Sequence, residues 1–242
     1  MTYEFISKTI YAGCERVNFT LNGRESLVVR PKNPLPGNPI CWRTEFFGAF
    51  DTVDVEMLKR GWHLCYHRAS DMYGCDESLE MLCEFQDFVC QTFGLSEKAV
   101  LFGFSRGGLY AVNYTAKYHD RVSGLYLDAP VCDIRSWPCS NLDSREAKEC
   151  LGWYRLSADT LKDFNDNPID KAERLLGIPM IIVAGDSDRV VPYRENGEIL
   201  ARRFEALGGK VKTIVKPGCD HHPHSLENPI PVADFIEENC LQ

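Results

Sequence analysis

Ala99-Val100-Leu101-Phe102-Gly103-Phe104-Ser105-Arg106-Gly107-Gly108-Leu109-Tyr110-Ala111-Val112 decides how this chain is read. An apolar run leads into a serine flanked by glycines, and a stretch with helical spacing follows. A chain written this way reverses from strand to helix within a few residues. The pattern Gly103-x-Ser105-x-Gly107 is that of a nucleophile elbow. The serine there sits in a strained backbone conformation, and the glycines are needed because a Cβ would collide with the neighbouring strand or helix. The new helix turns its first, unbonded amides toward the same point. A glycine-rich turn without chemistry would satisfy the same three residues. The strand before it, the helix after it and two later partners distinguish the reactive reading.

The first partner lies in Met180-Ile181-Ile182-Val183-Ala184-Gly185-Asp186-Ser187-Asp188-Arg189-Val190-Val191-Pro192, a buried-strand run ending in a glycine and two acids. Either acid fits a catalytic role, and the other would hydrogen-bond loop amides, as polar residues at strand ends commonly do. The second partner follows the strand-like run Val211–Lys216, in Pro217-Gly218-Cys219-Asp220-His221-His222-Pro223-His224, where three histidines compete. A metal reading of His-His-Pro-His is set aside. The proline interrupts helical spacing, and no Cys or acid cluster supplies a second pair of ligands at recognisable spacing. No metal and no cofactor are expected.

These three segments resemble the α/β-hydrolase superfamily over nearly the whole chain, with serine, acid and histidine in the order that fold imposes. The resemblance implies Asp188 as the triad acid, because Gly185, Asp188, Val191 and Pro192 match a G-x-x-D-x-x-V-P loop; Asp186 is the fallback. It implies His221 as the base, from G-x-x-H after the last strand, leaving His222 and His224 to pack the loop or face substrate. His221 would take the proton from Ser105 and return it to the leaving group, with Asp188 fixing its tautomer. The chain departs from the family in the oxyanion segment. Many esterases carry His-Gly after the third strand, and here the sequence is Ile40-Cys41-Trp42-Arg43-Thr44-Glu45-Phe46-Phe47-Gly48. Aligned on H-G-F-P-G, it is similar to the Q-E-I-F-G of dienelactone hydrolases. The backbone N–H groups of Phe46 and Arg106 are then the expected oxyanion donors, each typically worth on the order of 3 kcal/mol.

At 242 residues, 44% hydrophobic and 26% charged, the composition is that of one globular domain with a sizeable core. The net charge of −8 and the lack of any Lys/Arg run argue against a nucleic-acid partner. Eleven cysteines, an odd number without zinc or CxxC spacing, read as free thiols, and the N-terminal residues begin no signal peptide. A cytoplasmic location is the expectation. No run reaches the roughly 18 apolar residues of a membrane helix, so no membrane partner is expected.

Strand-like runs cover Val17–Leu21, Ser26–Arg30, Pro39–Trp42, Trp62–His67, Ala99–Phe102, Val122–Leu127, Ile178–Ala184 and Val211–Lys216, with a hairpin signal at Asn22-Gly23. Helix-like spacing covers Val53–Leu58, Leu79–Phe93, Leu109–Tyr118, Glu195–Leu207 and Ala233–Asn239. The expected fold is α/β, a mainly parallel sheet begun by an antiparallel hairpin, with helices on both faces. It forms a single domain, 1–242, and the resemblance places a small cap insertion at about 131–176. Arg43, Glu45, Trp137 and Trp153 are candidates for the substrate pocket. For the tryptophans, holding the cap onto the core is an equal alternative.

The expected activity is hydrolysis of a carboxylic ester through an acyl-enzyme. The general likeness to compact bacterial esterases suggests a short-acyl or carbohydrate-derived substrate. A peptidase or thioesterase on the same triad, or a non-catalytic ligand-binding protein on this fold, are the alternatives. A homodimer through the cap or an edge strand is compatible with the sequence, which does not fix it.

Overall fold

Every residue of Ala99–Phe104 is buried, and this strand lies within a nine-stranded sheet. The computed structural model describes residues 1–241. The strands are β1 (Tyr3–Tyr11), β2 (Cys14–Leu21), β3 (Arg24–Arg30), β4 (Ile40–Arg43), β5 (His63–His67), β6 (Ala99–Phe104), β7 (Val122–Asp128), β8 (Met180–Gly185) and β9 (Val211–Lys216). Their order is β1-β2-β3-β5-β4-β6-β7-β8-β9. β1, β2, β3 and β5 pair antiparallel in succession, and the sheet is parallel from β5 to β9. This is the expected architecture with one strand added.

The helices are α1 (Thr52–Lys59), α2 (Asp76–Phe93), α3 (Gly107–Lys117), α4 (Arg145–Tyr154), α5 (Ala158–Leu161), α6 (Gly197–Ala206) and α7 (Ile230–Cys240). They divide between the faces as the period-two alternation of β6 requires. Ala99 and Leu101 join the core that includes Leu82 and Phe85 of α2, Leu109 of α3 and Phe204 of α6. Val100, Phe102 and Phe104 join a second core with Val53 and Met57 of α1 and Val232 and Ile236 of α7. With both faces covered, central strands read as continuous apolar runs.

The added strand, β1, escaped the sequence pattern for a physical reason. It is an edge strand, paired among the described residues with β2 alone, and seven of its nine residues are exposed, Phe5, Ile6 and Ile10 among them. Its apolar side chains therefore mark no buried face. Between β7 and β8, the segment expected as a cap carries α4 and α5. Ile134, Cys139, Ala147, Cys150, Leu161 and Leu175 of this segment are buried in the same core as α2 and α3. α4 was missed although Ser144 caps it, accepting from the Ala147 amide at 3.1 Å.

The order of strands places the elbow. After β4 the chain adds β5 on one side, and β6 then takes the other side of β4. In open α/β sheets the ligand crevice opens beyond the carboxyl ends of the strands at such a reversal. Arg43 ends β4 and Phe104 ends β6, so the loops following them meet there.

Candidate active site

The elbow glycines are required by close approach. A Cβ on Gly103 would lie 2.9 Å from the Ala111 Cβ and from the Leu127 side chain, where α3 crosses the sheet. One on Gly107 would lie 3.0 Å from the Thr44 hydroxyl. Between them Ser105 has φ +49°, a left-handed conformation that non-glycine residues seldom adopt. Neighbouring backbone holds it: the Ser105 N–H donates to the Asp128 carbonyl at 2.9 Å, and the Ser105 carbonyl accepts from Val131 N–H at 2.8 Å. Strain at one residue persists where its surroundings over-determine it in this way.

Ser105 Oγ lies 3.0 Å from His221 Nε2, and His221 Nδ1 lies 2.7 Å from Asp188 Oδ2. The other Asp188 oxygen accepts the Val190 and Val191 amides at 2.9 and 2.8 Å. Both Asp188 oxygens are thus engaged, and only the one facing the imidazole can orient it. With Nδ1–H donated to the carboxylate, Nε2 is left as an acceptor for the serine proton. Asp186 is occupied elsewhere. It accepts from the Ser187 hydroxyl at 2.9 Å and the Gly218 amide at 2.7 Å, tying the acid loop to the histidine loop.

Beside this chain of hydrogen bonds lies a cavity of about 210 Å³, lined by Phe46, Ala49, Phe50, Phe104, Ser105, His221, His222 and His224. Among the described residues, the Phe46 and Arg106 amides donate to no protein acceptor. Phe46 is on the cavity wall at φ +55°, and Arg106 follows Ser105 at the start of α3. Two unbonded N–H groups flanking a serine can stabilise an oxygen that gains negative charge.

None of the four expected pocket residues, Arg43, Glu45, Trp137 and Trp153, lines this cavity. Arg43 is buried beneath the site. Its Nε and Nη2 donate to Asp54 at 3.1 and 2.8 Å, and Nη2 also reaches the Ala49 carbonyl at 2.8 Å. Its guanidinium lies 3.7 Å from the centre of the Phe104 ring. Arg43 therefore holds the loop that forms the cavity wall and is itself out of reach of a ligand. Glu45 is buried too, with Oε2 accepting from Arg106 Nε and Nη2 at 3.3 and 3.2 Å. Burial raises its pKa, against the opposing pull of Arg106. The pair fastens the Arg106 side chain while its amide stays free. Trp153 donates from Nε1 to the Asp71 carbonyl at 2.7 Å and borders a separate surface cleft with Tyr154, Phe164 and Lys171. Trp137 packs against the core, 6.1 Å from the Tyr73 ring. The sequence placed Arg43 and Glu45 near the expected oxyanion segment but carried no sign of which way they face.

Other contributors were not anticipated. Asp128, fully buried at the end of β7, accepts from His224 Nδ1 at 2.8 Å, the Ser225 amide at 2.8 Å and the Tyr126 hydroxyl at 3.0 Å. An acid closing a buried strand was a legible signal, the same one that drew attention to Asp186 and Asp188. Asp220 accepts the Arg189 and His221 amides at 3.0 and 2.8 Å. The Arg189 amide, then the Arg189 guanidinium and the His221 amide, lower its pKa to about 2. It links the acid loop to the histidine loop. The Thr44 hydroxyl lies 3.1 Å from the Phe102 carbonyl and 2.9 Å from that of Gly107, joining the end of β4 to the start of α3.

Among the described residues, no helix is long and apolar enough to cross a membrane, and the cysteines are all free. The alpha/beta hydrolase fold family model matches residues 63–149. A search of curated proteins finds no match. Solved structures are similar over almost the entire chain. An S-formylglutathione hydrolase from Agrobacterium tumefaciens superposes with a TM-score of 0.66 at 14% identity, over 97% of this chain and 96% of that one. A thermostable carboxyl esterase from Bacillus coagulans gives 0.62 at 16% identity, over 100% of both chains. An acylaminoacyl peptidase from Pyrococcus horikoshii gives 0.71 at 13% identity, over 99% of this chain but 42% of the peptidase. The matched family model over residues 63–149, the sheet order and the similar solved structures together show that this chain has the α/β-hydrolase fold.

Proposed function

We propose that this chain is a serine hydrolase that cleaves a short-acyl carboxylic ester through an acyl-enzyme. The observation that carries the reading is the continuous line from Asp188 through His221 to Ser105, ending beside two unbonded amides and a small apolar cavity. Ser105 Oγ attacks the ester carbonyl while His221 Nε2 takes its proton. The tetrahedral oxygen is held by the Phe46 and Arg106 amides. The imidazolium, stabilised by Asp188, protonates the departing alkoxide, and water activated by the same nitrogen releases the acid.

The cavity volume of about 210 Å³ supports a short acyl group. It is below the several hundred Å³ usual for sites that enclose drug-sized ligands. Beside Ser105 and the three histidines, its walls are Phe46, Ala49, Phe50 and Phe104, an apolar surface that suits a short acyl chain. The esterase and formylglutathione hydrolase likenesses agree with this reading, and the peptidase likeness makes an amide the competing substrate.

Labelling by a fluorophosphonate probe, with Ser105→Ala as control, tests the nucleophile. A hydrolysis screen over acetyl to octanoyl esters, feruloyl esters, acetylated sugars and aminoacyl amides tests the substrate. Labelling lost in Ser105→Ala and highest kcat/KM on acetyl to butyryl esters are expected. An unlabelled native protein would indicate a binding protein on this fold, and preference for the amides would replace the esterase with a peptidase.

A further inference from the structure

We propose that His221, His222 and His224 form a binding site for a divalent first-row transition cation such as Zn²⁺, whose occupancy reversibly blocks Ser105. The blocking half rests on the hydrolase reading above; the binding half does not. Each histidine offers a ligand nitrogen, and these nitrogens all lie within 4.8 Å of one another. The ring centroids are 4.7 to 5.0 Å apart with interplanar angles of 65° to 89°, so three rings surround one point from different directions. The proline that disqualifies the run as a helical metal motif does not prevent this convergence, because the loop turns back over the sheet to reach Asp128.

The outer partners suit a metal site. Histidines that ligate metals almost always give the other ring N–H to a carboxylate or carbonyl, which fixes the tautomer and strengthens the remaining lone pair. Here two do so: His221 Nδ1 lies 2.7 Å from Asp188, and His224 Nδ1 lies 2.8 Å from Asp128. Both carboxylates are buried, and their charge favours a cation nearby. His224 Nε2 has no bonded partner among the described residues, and its ring is on the cavity wall. His222 is exposed and stacked on Phe50 at 5.5 Å, so the third ligand is the one free to adjust. Zinc bound to nitrogen at about 2.0–2.1 Å needs ligands closer than the present spread, so binding would draw the rings together, the exposed His222 most freely.

Three imidazoles with a fourth position open to water make an acceptable tetrahedral zinc set. Binding consumes the Nε2 lone pair of His221, the acceptor of the Ser105 proton, so the serine stays protonated and unreactive. No covalent bond changes, and a chelator reverses the block.

The test is calorimetric titration of ZnCl₂ into the full chain in a non-chelating buffer, for wild type, Ser105→Ala, His222→Ala and Asp128→Asn. One ion per chain with micromolar or tighter affinity is expected in wild type and in Ser105→Ala. His222→Ala should weaken binding by about tenfold or more, and Asp128→Asn, if it folds, by on the order of 10- to 100-fold. Wild type that takes up no ion stoichiometrically, or His222→Ala that binds as tightly as wild type, overturns the site. His222 is exposed, so its variant is expected to fold and keeps the test decisive. Ester turnover with and without Zn²⁺, followed by EDTA, reads the block: inhibition that EDTA reverses supports it, and full turnover by the loaded protein overturns it. Heats of binding do not depend on turnover. A site that binds zinc in a protein that no fluorophosphonate labels would therefore refute the hydrolase reading, and the block with it, while the binding half stands.

Discussion

Replacing Asp188 by Asn changes one hydrogen-bonding polarity at the centre of the site and little else. Asp188 Oδ1 accepts the Val190 and Val191 amides at 2.9 and 2.8 Å, which an Asn carbonyl oxygen can continue to do. The group facing His221 Nδ1 at 2.7 Å then becomes an NH₂, which donates. Nδ1 must respond as an acceptor, which moves the ring proton to Nε2, toward Ser105 Oγ at 3.0 Å. The serine loses its base. A wrong-tautomer histidine in such a triad typically lowers kcat by about 10⁴, and at about 1.36 kcal/mol per tenfold that is about 5.5 kcal/mol of lost transition-state stabilisation. The assay is kcat and KM on an acetyl ester for wild type, Asp188→Asn and Asp186→Asn, with Tm measured on each. Asp186→Asn should stay within about tenfold of wild type, because its bonds lie within the loops. A folded Asp188→Asn retaining more than about a tenth of wild-type kcat would refute the reasoning, and a loss confined to Asp186→Asn would reassign the acid.

Arg43→Met should destabilise the fold by about 3–5 kcal/mol by leaving Asp54 buried without its cation, roughly 6–20 °C in Tm for a chain of this size. Adding Asp54→Leu should recover most of that loss, and a single variant that melts with wild type would show the pair to be dispensable. Phe50→Ala should widen acyl selectivity toward longer esters, whereas Trp153→Ala should leave the octanoyl-to-acetyl ratio of kcat/KM unchanged; the opposite pattern would move the acyl site to the cleft beside Trp153. Burial lowers the pKa of His63 and of His67 from the usual 6.5 to about 4. The unfolded chain therefore binds more protons between those values, so their contribution is intact above pH 6.5 and declines as the pH falls toward 4, by at most about 3 kcal/mol for each. Tm against pH should fall across that window and fall less steeply in His67→Gln; an unchanged slope would mean that His67 does not titrate with folding.

What the sequence determined by itself is local or ordinal. Gly103, Ser105 and Gly107 between an apolar run and a helical one specify a tight reversal, because only small residues survive such close approach, and the buried strands announce themselves as unbroken apolar runs. The succession of Ser105, two acids and three histidines narrowed the chemistry to a few side chains. Orientation belonged to the tertiary structure. Asp186 and Asp188 differ by two positions at the end of one strand, and only the packed loops turn one toward His221 and the other toward Gly218. Arg43 and Glu45 adjoin the oxyanion segment in sequence, but β4 is buried on both faces, so its terminal charge turns inward to Asp54 and the next to Arg106. The strand β1 left no alternating pattern because an exposed edge buries neither face. Asp128 meets His224 across 96 residues, a contact that no local pattern encodes. Which neighbours a polar side chain acquires depends on how the sheet closes over it, and that is decided by the free energy of the whole core.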